Sequence, residues 1–233
     1  MRVLVVGSCG KRKLYNIPEQ PACRDINIKH DINHWKRKLL KHLVPARDMY
    51  TGHQNTELVK AIDLLRTITN IEVQFCIVSA GFGMLQEQDL IPPYDCSFTN
   101  MSMAEVRMKS QELKLQSSII NEIDNGFDFV YLALGKRYFV ALEKDALSKI
   151  QVPTILFHGP ESDLLIRIPS SAQVVKAFSR RGHKIHGVAG FKGDLLRILV
   201  NYALQKRDPS NEVGKWKNPH HLKKLVRRLG GLA

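Results

Sequence analysis

The sequence predicts an α/β fold, with a mostly parallel central sheet and helices on both faces. Three observations carry this. Four short apolar runs rich in β formers recur at residues 2–6, 73–79, 128–134 and 153–157. None alternates polar with apolar residues as a half-exposed strand does, so each reads as a strand covered on both sides. Helical patterns lie between the runs, and strand–helix alternation implies crossovers and parallel pairing. Each run also ends in small residues or cations: Gly7-Ser8-Cys9-Gly10-Lys11-Arg12-Lys13, Ser79-Ala80-Gly81-Phe82-Gly83, Gly135-Lys136-Arg137 and His158-Gly159-Pro160. Open α/β sheets bind ligands at such strand ends.

The elements follow in order. After the first strand, Lys11, Arg12 and Lys13 follow small residues, a plausible phosphate cradle. The Walker A and dinucleotide glycine spacings are absent, and a turn followed by solvated charge is the alternative. Residues 16–34, with Pro18 and Pro21, read as a long loop or lid, and residues 35–43 as a short helix with a basic face. A loop carrying Tyr50 follows. Leu58, Ile62 and Leu65 then share one face of a helix over residues 56–67. The second strand leads through Ser79 and Gly81, whose small size lets backbone N–H groups approach a ligand. A loop then ends at Pro92-Pro93-Tyr94-Asp95, where two prolines stiffen the chain before an aromatic and a carboxylate. An ordinary surface turn is the competing reading there.

Residues 101–123 read as one helix, with Ser102 and Glu105 forming a capping box and Gly126 ending it. The third strand is followed by a helix over residues 138–148, and the fourth strand ends at His158. Residues 170–178 can be helical, and residues 180–184 form a basic turn. Gly190-Phe191-Lys192-Gly193 leads into a helix over residues 194–205. From Lys206 onward eight Lys and Arg face only Asp208 and Glu212, a net +6, with Trp216 among the cations. This segment reads as a helical extension for a nucleic-acid backbone, through Lys215, Lys223 and Arg227 among others, or as a solubilising tail.

Totals narrow the function classes. The 233 residues suit one large domain with a small appendage. Thirty-five Lys and Arg against 22 Asp and Glu leave +13, which favours a polyanionic partner. No apolar run approaches the about 18 residues of a membrane helix. Residues 1–6 enter a strand with no signal-peptide pattern, so a cytoplasmic protein is expected; a monomer is expected as well. Cys9, Cys23, Cys76 and Cys96 include no C-x-x-C pair. No metal or cofactor is expected, and the four should be reduced thiols. Cys9 reads as a small buried thiol, since no activating histidine lies near it in sequence.

Four segments in order resemble a known pattern: Gly7-Ser8-Cys9-Gly10-Lys11-Arg12-Lys13-Leu14, Pro45-Ala46-Arg47-Asp48-Met49-Tyr50-Thr51-Gly52, Val78-Ser79-Ala80-Gly81-Phe82-Gly83-Met84-Leu85 and Ile91-Pro92-Pro93-Tyr94-Asp95. They look like an uncharacterised bacterial and phage domain family with Cys-Gly-Lys-x-Lys and Pro-Tyr-Asp motifs. That family is similar to the archaeosine-synthase-type domain and, in architecture, to the uracil-DNA glycosylase superfamily. The resemblance covers residues 1–160. The chain lacks the Gly-Gln-Asp-Pro-Tyr motif of those glycosylases, and Phe157-His158-Gly159-Pro160 only partly echoes their His-Pro-Ser-Pro loop. The resemblance implies a uracil-DNA glycosylase-like fold, and with the composition shift at Lys206 the chain reads as an α/β catalytic domain over residues 1–205 and a basic extension over 206–233. The resemblance further implies a phage-defence DNA glycosylase that removes a modified base, glucosylated hydroxymethylcytosine among the options, and leaves an abasic site.

Such chemistry needs a carboxylate beside an oxocarbenium-like sugar, a donor at the departing base, aromatics for the flipped base and cations for the strand. Asp95 is the expected carboxylate and His158 the donor, with a structural role open for the histidine. Tyr50, Phe82 and Tyr94 are the stacking candidates, with core packing open for Tyr50 and Phe82. Ser79 and Gly81 complete the expected base site. Lys11, Arg12, Lys13, Lys136, Arg137 and Lys192 are the expected phosphate contacts on double-stranded DNA. Asp48 and Asp194 stand in reserve for Asp95. A base- or nucleotide-exchanging transferase can use the same parts without the basic tail. A non-enzymatic nucleic-acid binder keeps the tail but tolerates loss of Asp95.

Overall fold

The computed structural model describes residues 1–27, 31–140, 142 and 144–232. Strand β1 (Arg2–Ser8) carries Val3, Leu4, Val5 and Val6 with no solvent contact. Neighbours along a strand point to opposite faces, so the sheet is covered on both sides there. β1 pairs in parallel with β2 (Glu72–Ser79), Val3 lying opposite Val73. β3 (Gly83–Gln86) folds back antiparallel onto β2. On its other side β1 pairs in parallel with β4 (Phe129–Ala133), which is followed outward by β5 (Thr154–Leu156) and β6 (Leu165–Arg167). The order is β3-β2-β1-β4-β5-β6, and only β3 is antiparallel.

All four expected strands are present. The two edge strands are additions. Residues 83–86, read from sequence as loop, form β3 because the Ser79 hydroxyl accepts the backbone N–H groups of Gly81 and Phe82 and closes a tight turn. Gly83 then takes a φ of +80°, a conformation that suits glycine.

Helix α1 (His53–Arg66) buries Leu58, Ile62 and Leu65 as their spacing requires. The expected helix over residues 101–123 is instead two, α2 (Met103–Glu112) and α3 (Leu115–Ile123), with Lys114 left-handed between them at a φ of 51°. The cause is geometric. On one continuous helix Leu115 would lie about 180° from Val106. The break lets Val106 and Leu115 both be buried. The capping box of Ser102 and Glu105 forms at the start of α2. The helix expected over residues 138–148 appears as α4 (Lys136–Val140) and a short turn, Lys144–Leu147. Positions 141 and 143 of that expectation, and 28–30 of the expected loop, lie outside the described residues.

Then come α5 (Ala172–Arg180) and α6 (Gly187–Leu204). α6 starts seven residues before the expected Asp194. Its glycines are a packing device. A Cβ at Gly193 would come within 2.4 Å of the Gln54 carbonyl oxygen, so α6 and α1 approach closely only with glycine there.

The basic C-terminal segment packs into the fold. It forms α7 (Pro209–Gly214) and α8 (Pro219–Gly230), capped by Asp208 and Asn218. Trp216 is fully buried, edge-on to Phe129 at 5.5 Å, and Leu222, Leu225 and Val226 are buried with it. Lys217 pairs with Asp128 and Lys223 with Glu161. No described helix is long and apolar enough to cross a membrane.

The cysteines depart from expectation. Cys23 and Cys96 form a disulfide, with Cα atoms 4.6 Å apart. A parallel bridge between Ala22 and Asp95 brings these two distant stretches together. Disulfides belong to oxidising surroundings, so the reduced-thiol expectation holds only for Cys9 and Cys76, which are free and buried.

Truncation after Gln205 therefore removes core as well as charge. The shortened chain should lose its cooperative unfolding transition, followed by circular dichroism in urea. Trp216→Ala should lower stability by about 3–5 kcal/mol. An unchanged urea midpoint in either variant would contradict the packing described.

Candidate active site at the carboxyl end of the sheet

The chain leaves β1 towards β2 on one side and returns to β4 on the other. Crossovers diverge at this point, so the carboxyl ends of β1 and β4 open into a crevice, the usual ligand position in an open α/β sheet. A cleft of about 540 Å³ lies there. Its walls are the loop after β1, the turn after β4 and the first turns of α1 and α6. Gln54, at the start of α1, spans the divide: its side-chain amide donates to the Ser8 hydroxyl and to the Ala133 carbonyl. A larger hollow of about 780 Å³ lies beside α2 and α3, and among the described residues it is lined by no carboxylate, histidine or cysteine.

The cleft is built for negative charge. α1 and α6 both begin without a side-chain cap, so their first N–H groups remain available where the helix dipoles are positive. Lys11, Arg12, Lys136, Arg137 and Lys192 all line it. Lys11, Arg12 and Lys136 are exposed, and Arg137 is half-buried and donates to the Phe98 carbonyl at 3.4 Å. Lys192 differs from these, being only 6 % exposed. Among the described residues its amino group has no hydrogen-bond or ion-pair partner, and it lies 5.9 Å from the centre of the Phe157 ring. Burial lowers its pKa to about 8. Lys192 is thus a largely buried cation whose remaining exposure is to the cleft, where an anion would pair with it.

Beside it stands a histidine held by a carboxylate. His186 lines the cleft. Its Nδ1 lies 2.7 Å from Oδ1 of Asp194, and its backbone N–H donates to Oδ2 at 2.8 Å. Asp194 has no solvent contact. In the neutral imidazole, Nδ1 is the nitrogen that donates to the carboxylate and Nε2 is left as the acceptor, the arrangement of a general base with its orienting acid. His53 stacks on the His186 ring at 4.6 Å. Glu57, His186 and Asp194 bring ligand-type atoms within 4.8 Å of one another. Arg197 pairs with Glu57 at 2.5 Å and lies 3.8 Å from Asp194, and Lys60 pairs with Glu57 at 2.8 Å. These cations already balance the carboxylates, so the group is an ion-pair network that fixes the dyad.

Several expected site residues lie elsewhere. Tyr50 and Tyr94 are 1 % and 0 % exposed, so neither ring offers a face to a base. Their hydroxyls bond each other at 2.7 Å, and Tyr94 continues to the Ser79 hydroxyl at 2.8 Å. Burial raises the pKa of both phenols. Gly81 is required by packing, since a Cβ would meet Ile26 at 2.9 Å and Tyr94 at 3.0 Å. Phe82 is half-buried against Tyr94. Lys13 turns inward over the Tyr94 ring at 4.4 Å, and burial lowers its pKa.

Asp95 is exposed and faces a separate groove with Cys23, Arg24 and Lys109. His158 is half-buried. Burial and the charges of Lys192, Lys136 and Arg167 lower its pKa, which keeps it neutral near pH 7. The structure thus brings five of the expected cations together, but Asp95 faces another groove and His158 is not among the residues that line this cleft. Sequence reasoning missed His53, Gln54 and His186, and held Asp194 only in reserve. Three of these sit at helix starts that no periodicity marks, although the second motif ends at Gly52, directly before His53 and Gln54.

No protein-family model matches the chain, and no curated protein matches it significantly.

The buried amino group gives the cleft a pH signature. Protonated Lys192 attracts an anion and the neutral amine does not. Binding of inorganic phosphate or a short oligonucleotide should therefore be full below pH 8 and weaken as pH rises above it, in titrations at constant ionic strength. Lys192→Met should weaken binding and remove this step. The free protein has the opposite trend: the unfolded chain binds more protons between about pH 8 and 10.4, so stability contributed by this group rises with pH there. Binding independent of pH between 7 and 9.5 would exclude Lys192 as the anion's partner.

Proposed function

We propose that the protein is an N-glycosidic-bond hydrolase acting on nucleic acid, a DNA glycosylase that removes a modified base. The observation that carries this is the unpartnered Lys192 in a cation-lined cleft beside the His186–Asp194 pair. The cleft fits a nucleotide in size and in charge. Its phosphate is held by Lys192 and the first N–H groups of α1 and α6. His186, oriented by Asp194, takes a proton from the attacking water. Exposed Lys11, Arg12 and Lys136 at the mouth suit a polymer better than a free nucleoside, and the net +13 extends that preference over the molecule.

The substrate class comes from the motif resemblance, which implies a uracil-DNA glycosylase-like enzyme and glucosylated hydroxymethylcytosine in phage DNA. The basic face of α8, with Lys224, Arg227 and Arg228 exposed, supplies further backbone contacts in this reading.

The test is incubation with unmodified and hypermodified phage DNA, followed by mass spectrometry for free base and an aldehyde-reactive probe for abasic sites. His186→Ala and Asp194→Asn should each slow base release by about 10²–10⁴-fold under single-turnover conditions. Asp95→Asn should retain it, because Asp95 faces another groove. The reverse pattern would return the chemistry to Asp95, and no base from any DNA would end the reading.

A further inference from the structure

We infer that Lys192 is an amine nucleophile, which condenses with the C1′ aldehyde of an abasic site so that the protein cleaves the strand after removing the base. The inference rests on the hydrolase reading above and adds a second activity to the same cleft. A buried cation facing a ligand site has two uses. It can pair with an anion as a charge, or it can react as an amine. Three observations favour reaction.

First, the available carboxylates are engaged with other partners. Asp194 accepts from His186 and lies near Arg197, while Glu57 pairs with Lys60 and Arg197. No acid in this network holds Lys192 as an ammonium ion. Second, Lys192 is fixed. It lies inside the 18-residue α6, and its own carbonyl accepts the hydroxyl proton of buried Tyr131 at 2.5 Å. Its base is therefore held relative to the sheet, as a reacting group needs. Third, the phosphate has other partners. Lys11, Arg12 and Lys136 stand at the mouth as exposed cations, and two helix N-termini face the same space. Burial adds to this: with a pKa of about 8, about a tenth of the Lys192 amine is neutral at pH 7, against less than a thousandth for an exposed lysine.

The steps balance without a redox partner. The amine nitrogen adds to C1′ of the ring-opened abasic sugar. The former carbonyl oxygen leaves as water, taking one proton from the amine and one from solvent, and a protonated imine remains. A base in the cleft removes a C2′ proton. The electron pair forms the C2′–C3′ double bond, and the 3′ phosphate leaves with the electrons of its C–O bond. One water then hydrolyses the imine, releasing the unsaturated aldehyde end and restoring the amine. His186, which lines the same cleft and is held by Asp194, is the base placed to take the C2′ proton.

The test uses the full chain and a duplex oligonucleotide carrying one preformed abasic site, so that it does not depend on the identity of the base. Sodium borohydride reduces the imine to a stable amine. The expected result is a covalent protein–DNA adduct, mapped by peptide mass spectrometry to Lys192, together with strand cleavage when borohydride is omitted. Lys192→Arg keeps the positive charge but cannot condense. It should reduce adduct and cleavage at least 100-fold at protein concentrations that saturate the duplex, so that the loss is one of chemistry and not of binding. An adduct at another residue, or none with the wild-type chain, overturns the inference, and neither result depends on a variant folding. Base release from modified DNA without trapping would leave the hydrolase and remove the strand cleavage. Trapping at Lys192 without base release from any DNA would support the amine and remove the hydrolase.

Discussion

The site depends on how closely α1 and α6 approach. Gly193 has no Cβ because the Gln54 carbonyl oxygen occupies that space, 2.4 Å from where the Cβ would lie. A side chain there would force the two helices apart, and close-packed interiors transmit such a shift. The separation matters because both N-termini open on the cleft. α1 brings His53 and Gln54 to it, and α6 brings His186 and Lys192. Gln54 is tied in turn to the ends of β1 and β4, so the helix pair is registered against the diverging strands. A sheet, two helix starts and a histidine dyad are thus held by one steric condition.

Charge in this region is distributed unevenly. Glu57 and Asp194 are buried carboxylates, and Arg197, Lys60 and His186 serve them. That cluster is balanced in charge, two carboxylates against Arg197 and Lys60 with His186 beside them, although among the described residues the Arg197 Nε is buried without a hydrogen bond. Lys192 lies two residues from Asp194 in sequence yet takes no part in it. Desolvating an ammonium ion without a partner is costly, and the lowered pKa is the measure of that cost. A fold retains such a group more readily where a ligand compensates it, which makes Lys192 the most informative charge in the chain.

The sheet was legible because burial on both faces leaves a plain signature: apolar runs without alternation, each stopping at glycine or a cation. The capping box at Ser102 was legible because it is local. Features set by distant contacts were not. α6 begins at Gly187, but three glycines within its first seven residues argue against a helix on propensity alone, and only packing against α1 explains them. Lys114 breaks a good helical pattern so that two apolar faces can both be buried. Cys23 and Cys96 are 73 residues apart, and nothing near either announces the other. The cations of the cleft were legible as strand-end residues, whereas His186 and Asp194 form a pair across a helix cap that has no period.

The four motif segments do different work from the one their residue types suggest. Tyrosine, serine and glycine near a strand end look like a base site, yet Tyr50, Tyr94 and Ser79 form a buried chain of hydroxyls joining three segments. Leaving one of these hydroxyls unpaired would cost about 1–3 kcal/mol, so they hold the segments together as a set. The first segment is fixed to this core at both ends. Cys9 lies 2.8 Å from the Tyr138 hydroxyl, and its sulfur also accepts the Ala80 backbone N–H. Lys13 sits over the Tyr94 ring and bridges to the Tyr50 backbone. Only Gly10, Lys11 and Arg12 lie between these two anchors, and these three line the cleft. The motifs therefore bear on the cleft indirectly: their buried members fix a short loop and its exposed cations in place, so that an anion bound there would leave less ordering to be done.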